Sequence, residues 1–214
     1  DPLANLHDRF ELPDGVIYLD GNSLGPLPKN VPARVAEVVQ RQWRDDLIRS
    51  WNIHDWDRLP LSVGDRIAPL IGAGPGEVLV GDSTSVNLFK LMAAALELRP
   101  ERKVIVSQSG NFPTDIYLAE GLIRQLGDGH ELRLVDGDDV LGAIDDDVAL
   151  VSLTQVDYRS GHLQEMANVT HRAHDAGALM LWDLSHSAGV MTVDLAGAGA
   201  DFAVGCSYKY LNGG

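Results

Sequence analysis

Short apolar runs recur along the chain at 77–81, 103–107, 131–135, 148–153, 178–183 and 202–206. Runs of this length, rich in Val, Ile and Leu, suit buried strands. Helix-patterned segments fill most of the gaps, at 85–98, 114–126, 139–144 and 166–176. Strands alternating with helices predict an α/β fold, a mainly parallel sheet flanked by helices. Such a sheet also constrains function, because its ligands gather beyond the carboxyl ends of the strands. Polar clusters follow these runs directly, where that rule puts a site.

Before the alternation begins, residues 1 to 26 read as irregular, punctuated by Gly21, Gly25 and Pro26. From 28 to 51 Val31, Val35, Val38, Val39, Trp43 and Leu47 recur at helical steps. The resulting helix carries a large apolar face that wants a covering domain or partner. A shorter helix is expected over 61–71. The expected division is therefore 1–60, an N-terminal segment and helix, and 61–214, the large domain. That domain is expected to be incomplete at its C-terminus, because the last run is followed only by a turn at Asn212-Gly213-Gly214.

With 214 residues and 45% hydrophobic content, the chain can bury one sizeable core. A net charge of −14 argues against nucleic acid or an anionic membrane as partner. No apolar run approaches the ~20 residues of a membrane span, and no secretory signal is visible. One cysteine, Cys206, allows no internal disulfide and fits a reducing compartment such as the cytoplasm. Cys206 lies in an apolar run, which favours an inert core thiol over a nucleophile.

Two residues about 26 positions apart carry the most chemistry. Lys209 follows the run 202–206, and a lone lysine held by a β-rich core suits covalent capture of a carbonyl. Asp183 ends the run 178–183. A carboxylate there is costly to desolvate unless it meets a cation, and a protonated pyridine nitrogen is one. A pyridoxal phosphate (PLP) enzyme needs both parts. A helix cap is the alternative role for Asp183.

Other segments fit the same chemistry less specifically. Gly81-Asp82-Ser83-Thr84-Ser85 precedes a helix, where hydroxyls and free amides suit a phosphate; helix capping by Asp82 or Ser83 uses the same residue types. Phe112 could stack on a flat ring and Asp115 could accept a hydrogen bond, although Pro113 and Asp115 also suit a helix start. Thr154 is expected near a strand tip, with Asp157, Tyr158 and Arg159 in an ordinary turn closed by Gly161. His186 could bond a phenolic oxygen. His171 and His174 stand three apart without a third ligand, so no metal site is expected. No Gly-x-Gly-x-x-Gly follows an early strand, which disfavours a dinucleotide site.

Five segments, in order, resemble the kynureninase family, PLP enzymes of the aspartate-aminotransferase fold type. They are Tyr18-Leu-Asp-Gly-Asn-Ser-Leu-Gly-Pro26, Ser85-Val-Asn-Leu88, Asn111-Phe-Pro-Thr-Asp115, Asp183-Leu-Ser-His-Ser-Ala-Gly189 and Cys206-Ser-Tyr-Lys-Tyr-Leu-Asn-Gly213. Cysteine desulfurases share the plan but typically carry Gln at the place of His186 and His before the lysine; here Tyr208 precedes it. The resemblance implies a PLP-dependent transferase-like large domain whose C-terminal small domain is absent from this chain. It implies that Lys209 holds PLP covalently, that Thr84, Ser85 and Tyr208 hold its phosphate, and that Phe112 stacks on its ring. Asp115, Thr154, Asp183 and His186 complete the cofactor shell, with Lys209, Tyr208 and Asp183 catalytic. The implied reaction is hydrolysis of L-kynurenine or 3-hydroxykynurenine to an anthranilate and L-alanine, in tryptophan catabolism and NAD biosynthesis, by a cytoplasmic homodimer acting on a small amino acid. Another fold-type-I PLP enzyme, such as a desulfurase or β-lyase, and an inactive fragment or PLP-binding module remain as alternatives.

Overall fold

In the computed structural model the described residues are 2–127, 129–137 and 139–213. Asp1 and Gly214, the end residues of the expected division, lie outside them. Two compact units interleave along the sequence. One comprises Asp1–Pro69, Gly74–Val80 and Ser207–Gly214; the other comprises Leu70–Ala73 and Gly81–Cys206.

The first unit begins with a short antiparallel pair, β1 (Phe10–Glu11) and β2 (Leu27–Pro28). Helix α1 (Val31–Glu37) then runs into a π-helical stretch, Val38–Asp46, followed by α2 (Ser50–Ile53) and α3 (Leu59–Ile67). The helix expected over 28–51 is thus interrupted, and its apolar positions are not the ones that face inward. Gln42 and Ser50 are buried, whereas Val35, Val39, Trp43 and Leu47 are exposed. Polar bonding accounts for this. Trp56 Nε1 donates to Gln42 Oε1 at 2.8 Å, Gln42 Nε2 donates to Glu37 Oε1 at 3.1 Å, and Ser50 Oγ donates to Gln42 O at 2.6 Å. Buried polar atoms must be satisfied, and the wider π turn accommodates them.

The strand expected at 77–81 is not formed. Among the described residues it has no ladder partner; a single bond, Val80 N to Pro60 O at 3.1 Å, ties it to α3. The approach is close, since a Cβ on Gly64 would fall 1.9 Å from Val78 O. Apolar composition alone does not make a strand; a neighbour must exchange hydrogen bonds with it.

The second unit holds a five-stranded parallel sheet of β3 (Val104–Gln108), β4 (Glu131–Val135), β5 (Val148–Thr154), β6 (Leu179–Asp183) and β7 (Phe202–Val204). Their spatial order is β4-β3-β5-β6-β7. Helices α4 (Thr84–Leu98), α5 (Pro113–Leu126), α6 (Met166–Asp175) and α7 (Leu195–Ala198) connect and cover them. The expected helix at 139–144 shortens to a 3-10 turn, Leu141–Ala143. Every residue of β5 and β6 is buried, as both faces of a covered parallel sheet require. Leu88, Met92 and Ala95 of α4 pack with Ala119 and Leu122 of α5 against Ile105, Leu150 and Leu181 of the sheet. Each fully buried side chain of Leu size contributes about 1.5–3 kcal/mol. Strand β7 stops at Val204, so Cys206 lies two residues beyond it and is half-buried rather than a core thiol.

Candidate active site

The sheet gathers buried polar side chains at one edge. Ser107 lies near the end of β3 and Asn111 beyond it, Thr154 ends β5 and Gln155 follows it, and Asp183 ends β6 with Ser185 two residues on; all are buried. The chain leaves β3 outward to β4 and returns to β5 on the other side, so β3 and β5 flank the point where strand order reverses. Ligands of open parallel sheets bind at such a point.

A hydrogen-bond chain stitches the tips together. Ser107 Oγ donates to Ser152 O at 2.8 Å, Asn111 Nδ2 donates to Ser107 Oγ at 3.1 Å, and the Thr154 hydroxyl donates to Asn111 Oδ1. Thr154 lies in register with Asp183, and Asp183 with Val204. Gln155 N donates to Asp183 O at 3.0 Å, and Ser185 N donates to Asp183 Oδ1 at 2.7 Å. The Asp183 carboxylate is only 5% exposed. Gln155 Oε1 is buried with no hydrogen-bond partner among the described residues, a state that costs about 1–3 kcal/mol until a donor reaches it.

Rings border this edge. Phe112, the residue before α5, meets Tyr158 edge to face with centroids 5.3 Å apart, and Tyr158 lies 6.3 Å from the His186 ring. Asp115 is buried one turn into α5. At the start of α4, Ser83 is the N-cap, its hydroxyl accepting from Val86 N at 3.3 Å. Asp82 is not the cap; it sits at a φ of 51° and pairs with Lys90. Thr84 Oγ1 donates to Gly205 O at 3.1 Å. Thr84 and Ser85 therefore stand in the first turn, where unpaired amides favour an anion.

Tyr208 and Lys209 belong to the other unit. Lys209 is buried, 8% exposed, with Nζ 5.9 Å from the centre of the Tyr208 ring. Their loop is tied by backbone. Gly25 N donates to Tyr208 O at 2.7 Å, Asn212 N to Lys209 O at 3.2 Å, and Gly213 N to Ser207 O at 2.8 Å. A Cβ at Gly25 would meet Lys209 O at 2.3 Å, so only glycine allows this approach. The Tyr18–Pro26 segment, irregular by pattern, is thus a clamp on the lysine loop. Tyr18 Oη donates to Leu24 O at 2.8 Å and shapes it.

Sequence reasoning singled out Thr154, Asp183, His186, Phe112 and Asp115, which share this edge, but gave no role to Ser107, Asn111, Gln155 or Tyr158. Asn111 stands inside a quoted motif, Tyr158 reads as part of an ordinary turn after the run 148–153, and nothing local marks Ser107. A buried carboxylate, an imidazole, hydroxyls, an exposed ring and a helix N-terminus form the donor set a flat anionic cofactor with a cationic ring nitrogen needs. Among the described residues no cluster of three His, Cys, Asp or Glu could hold a metal, and no helix is long and apolar enough to cross a membrane.

Residues 61–213 match the family model described as Aminotransferase class-V. Kynureninase of Burkholderia pseudomallei (strain 1106a) is 56% identical over 219 aligned positions that cover 100% of this chain and 53% of the relative. Kynureninase of Pseudomonas fluorescens is 53% identical over the same shares. The chain thus spans about half the length of these relatives. Among solved structures, the apo cysteine desulfurase of Thermococcus onnurineus NA1 superposes with a TM-score of 0.75 at 24% identity, covering 96% of this chain and 53% of that one. A C-DES mutant with glycine covalently linked to the PLP-cofactor gives a TM-score of 0.79 at 14% identity, covering 94% and 55%. At these identities the two structures speak to the fold alone.

Proposed function

Because the chain belongs to the aminotransferase class-V family, we propose that it is the PLP-binding part of a kynureninase, hydrolysing L-kynurenine or 3-hydroxykynurenine to anthranilate or 3-hydroxyanthranilate and L-alanine. The observation that carries this reading is the 56% identity to a kynureninase along the whole of the chain. The buried carboxylate of Asp183 at the sheet edge supports it, because the residues there fit a cationic ring nitrogen.

PLP, when bound, supplies an electron-withdrawing ring that stabilises negative charge on the substrate's α-carbon. The residues do the rest. Asp183 would hold a proton on the pyridine nitrogen through a charge-assisted hydrogen bond. His186 would bond the phenolic oxygen, Phe112 would cover one ring face, and Thr154 and Asp115 would fix the orientation. Thr84 and Ser85, at the N-terminus of α4, would receive the phosphate, a role the resemblance also gives the Tyr208 hydroxyl. Lys209 would anchor the cofactor and, once released from it, would carry on Nζ the proton taken from the substrate α-carbon. Water would add to the γ-carbonyl carbon, the bond between the β- and γ-carbons would break, and Tyr208 Oη would protonate the β-carbon of the departing alanine.

The division into an N-terminal segment over 1–60 and a PLP-binding domain from 61 onward belongs to the same proposal. So do a cytoplasmic homodimer and a place in tryptophan catabolism. The runner-up is another fold-type-I PLP enzyme, such as a desulfurase or β-lyase; His186 and Tyr208 argue against it. A full-length protein containing this chain is to be given kynurenine and, separately, cysteine. Fluorescent anthranilate from the first supports the assignment; sulfide from cysteine with no anthranilate sinks it.

A further inference from the structure

The loop after β5 reads as an ordinary turn, yet it is tied by a dense set of polar bonds. Asp157 Oδ1 accepts from Arg159 N at 3.0 Å, Ser160 N at 2.7 Å and Ser160 Oγ at 2.8 Å. Asp157 N donates to His162 O, Gly161 N to Asp157 O and Gln164 N to Gln155 O, each at 2.9 Å. Gly161 takes the left-handed φ of 71° that closes the turn. Burial pushes the Asp157 carboxyl up, but the bonds from Ser160 and Arg159 outweigh it and lower its pKa.

This loop delivers one ring to the candidate site. Tyr158 meets Phe112 at 5.3 Å with planes 75° apart, the edge-to-face arrangement aromatic pairs favour. The His186 ring is also near it, at 6.3 Å and a 36° tilt. Arg159 Nε donates to the Tyr158 hydroxyl at 2.7 Å, and its guanidinium carbon lies 5.0 Å from the ring centre. Tyr158 therefore neighbours two of the side chains assigned to the cofactor ring, Phe112 and His186, and is itself held by a guanidinium and a carboxylate-locked turn.

We propose that Tyr158 is a positioning residue: neighbouring both Phe112 and His186, it fixes the angles at which those rings receive PLP, and Asp157 and Arg159 hold it in place. This rests on the assignment of Phe112 and His186 to PLP. Its physical basis is preorganisation, since side chains already locked in the productive geometry lose less freedom on binding and orient the ligand more tightly.

The test is a PLP titration of a full-length protein containing this chain, read by equilibrium dialysis and by the circular dichroism induced in the cofactor's absorption band. Wild type, Tyr158→Leu, Tyr158→Phe, Arg159→Gln and Asp183→Asn are compared, with the unfolding midpoint of each. Expected are a dissociation constant raised about tenfold in Tyr158→Leu with a smaller induced signal per bound PLP, and affinity within about twofold of wild type in Tyr158→Phe, which keeps the ring. Arg159→Gln, at an exposed position that leaves the fold alone, should weaken the induced signal with an unchanged midpoint. Unaltered affinity and induced signal in both Tyr158→Leu and Arg159→Gln, beside weakened binding by Asp183→Asn, would overturn the positioning role and leave the PLP assignment standing. No saturable binding by the wild-type protein would overturn the PLP assignment, and this role with it.

Discussion

Asp183 is the residue on which the proposed chemistry depends most. It is buried at the end of β6, with one carboxylate oxygen accepting from Ser185 N. Asp183→Asn keeps size and one acceptor but cannot hold a cationic partner. In the full-length enzyme it should keep the fold by circular dichroism and lose about 3–4 kcal/mol of barrier lowering, a hundredfold or more in turnover. A loss under tenfold in steady-state kinetics would return Asp183 to a capping role. Gly25→Ala tests the clamp on the lysine loop. Its Cβ would collide with Lys209 O and with Asn212 Nδ2, at 2.3 and 2.4 Å. Displacement of the loop should abolish borohydride-trapped PLP on Lys209, read by mass spectrometry, while the secondary structure persists. Asp157 gives a pH signature. Its folded pKa lies below the ordinary value near ~3.9, so its contribution to stability is complete above about pH 4 and fades as pH falls through the lower folded value. Urea midpoints at pH 6 and pH 3 should therefore fall further in wild type than in Asp157→Asn; equal falls would contradict the bonding described.

Elements differ in how far their own residues dictate them. Helix α4 was legible because Ser83 caps it and Leu88, Met92 and Ala95 recur at helical steps; it runs Thr84–Leu98 against an expected 85–98. Strand β4 falls on its expected residues, 131–135, and β6 ends at Asp183 as anticipated. The segment from 28 to 51 misled, because periodicity counts apolar residues and is blind to Gln42 and Ser50, which are bonded to each other, to Glu37 within the segment and to Trp56 beyond it. The run 77–81 misled for a related reason: strand composition is local, whereas a ladder partner is not. Among site residues, Asp183, Thr154 and His186 were legible from their place after apolar runs. Asn111 and Gln155 join the edge only through bonds made across strands. At this scale Ser83→Ala should cost about 1 kcal/mol of stability, seen as a lower urea midpoint, because the Val86 amide loses its acceptor. No change would mean that the cap is made by another group.

For the molecule as a whole, stability should be steeply graded. Every position of β5 and β6 is buried, while Ile17, Leu19, Ile48 and Leu79 are exposed. Amide exchange followed by mass spectrometry should be slowest in 148–154 and 179–183, and fastest in 12–26 and 77–80; comparable rates would mean that the parallel sheet is not the stable centre. The order β4-β3-β5-β6-β7 has a further consequence, for the newborn chain. Strand β3 borders β5, whose last residue is made about 50 positions after Val104. At ribosomal speeds of about 5–20 residues per second, that edge of a strand with an apolar Val-Ile-Val start stands open for roughly 2–10 s. The interval is long enough for a neighbouring nascent chain to offer a competing strand, so yield in the cell should depend on translation rate and chaperone supply more than on the final stability of the sheet.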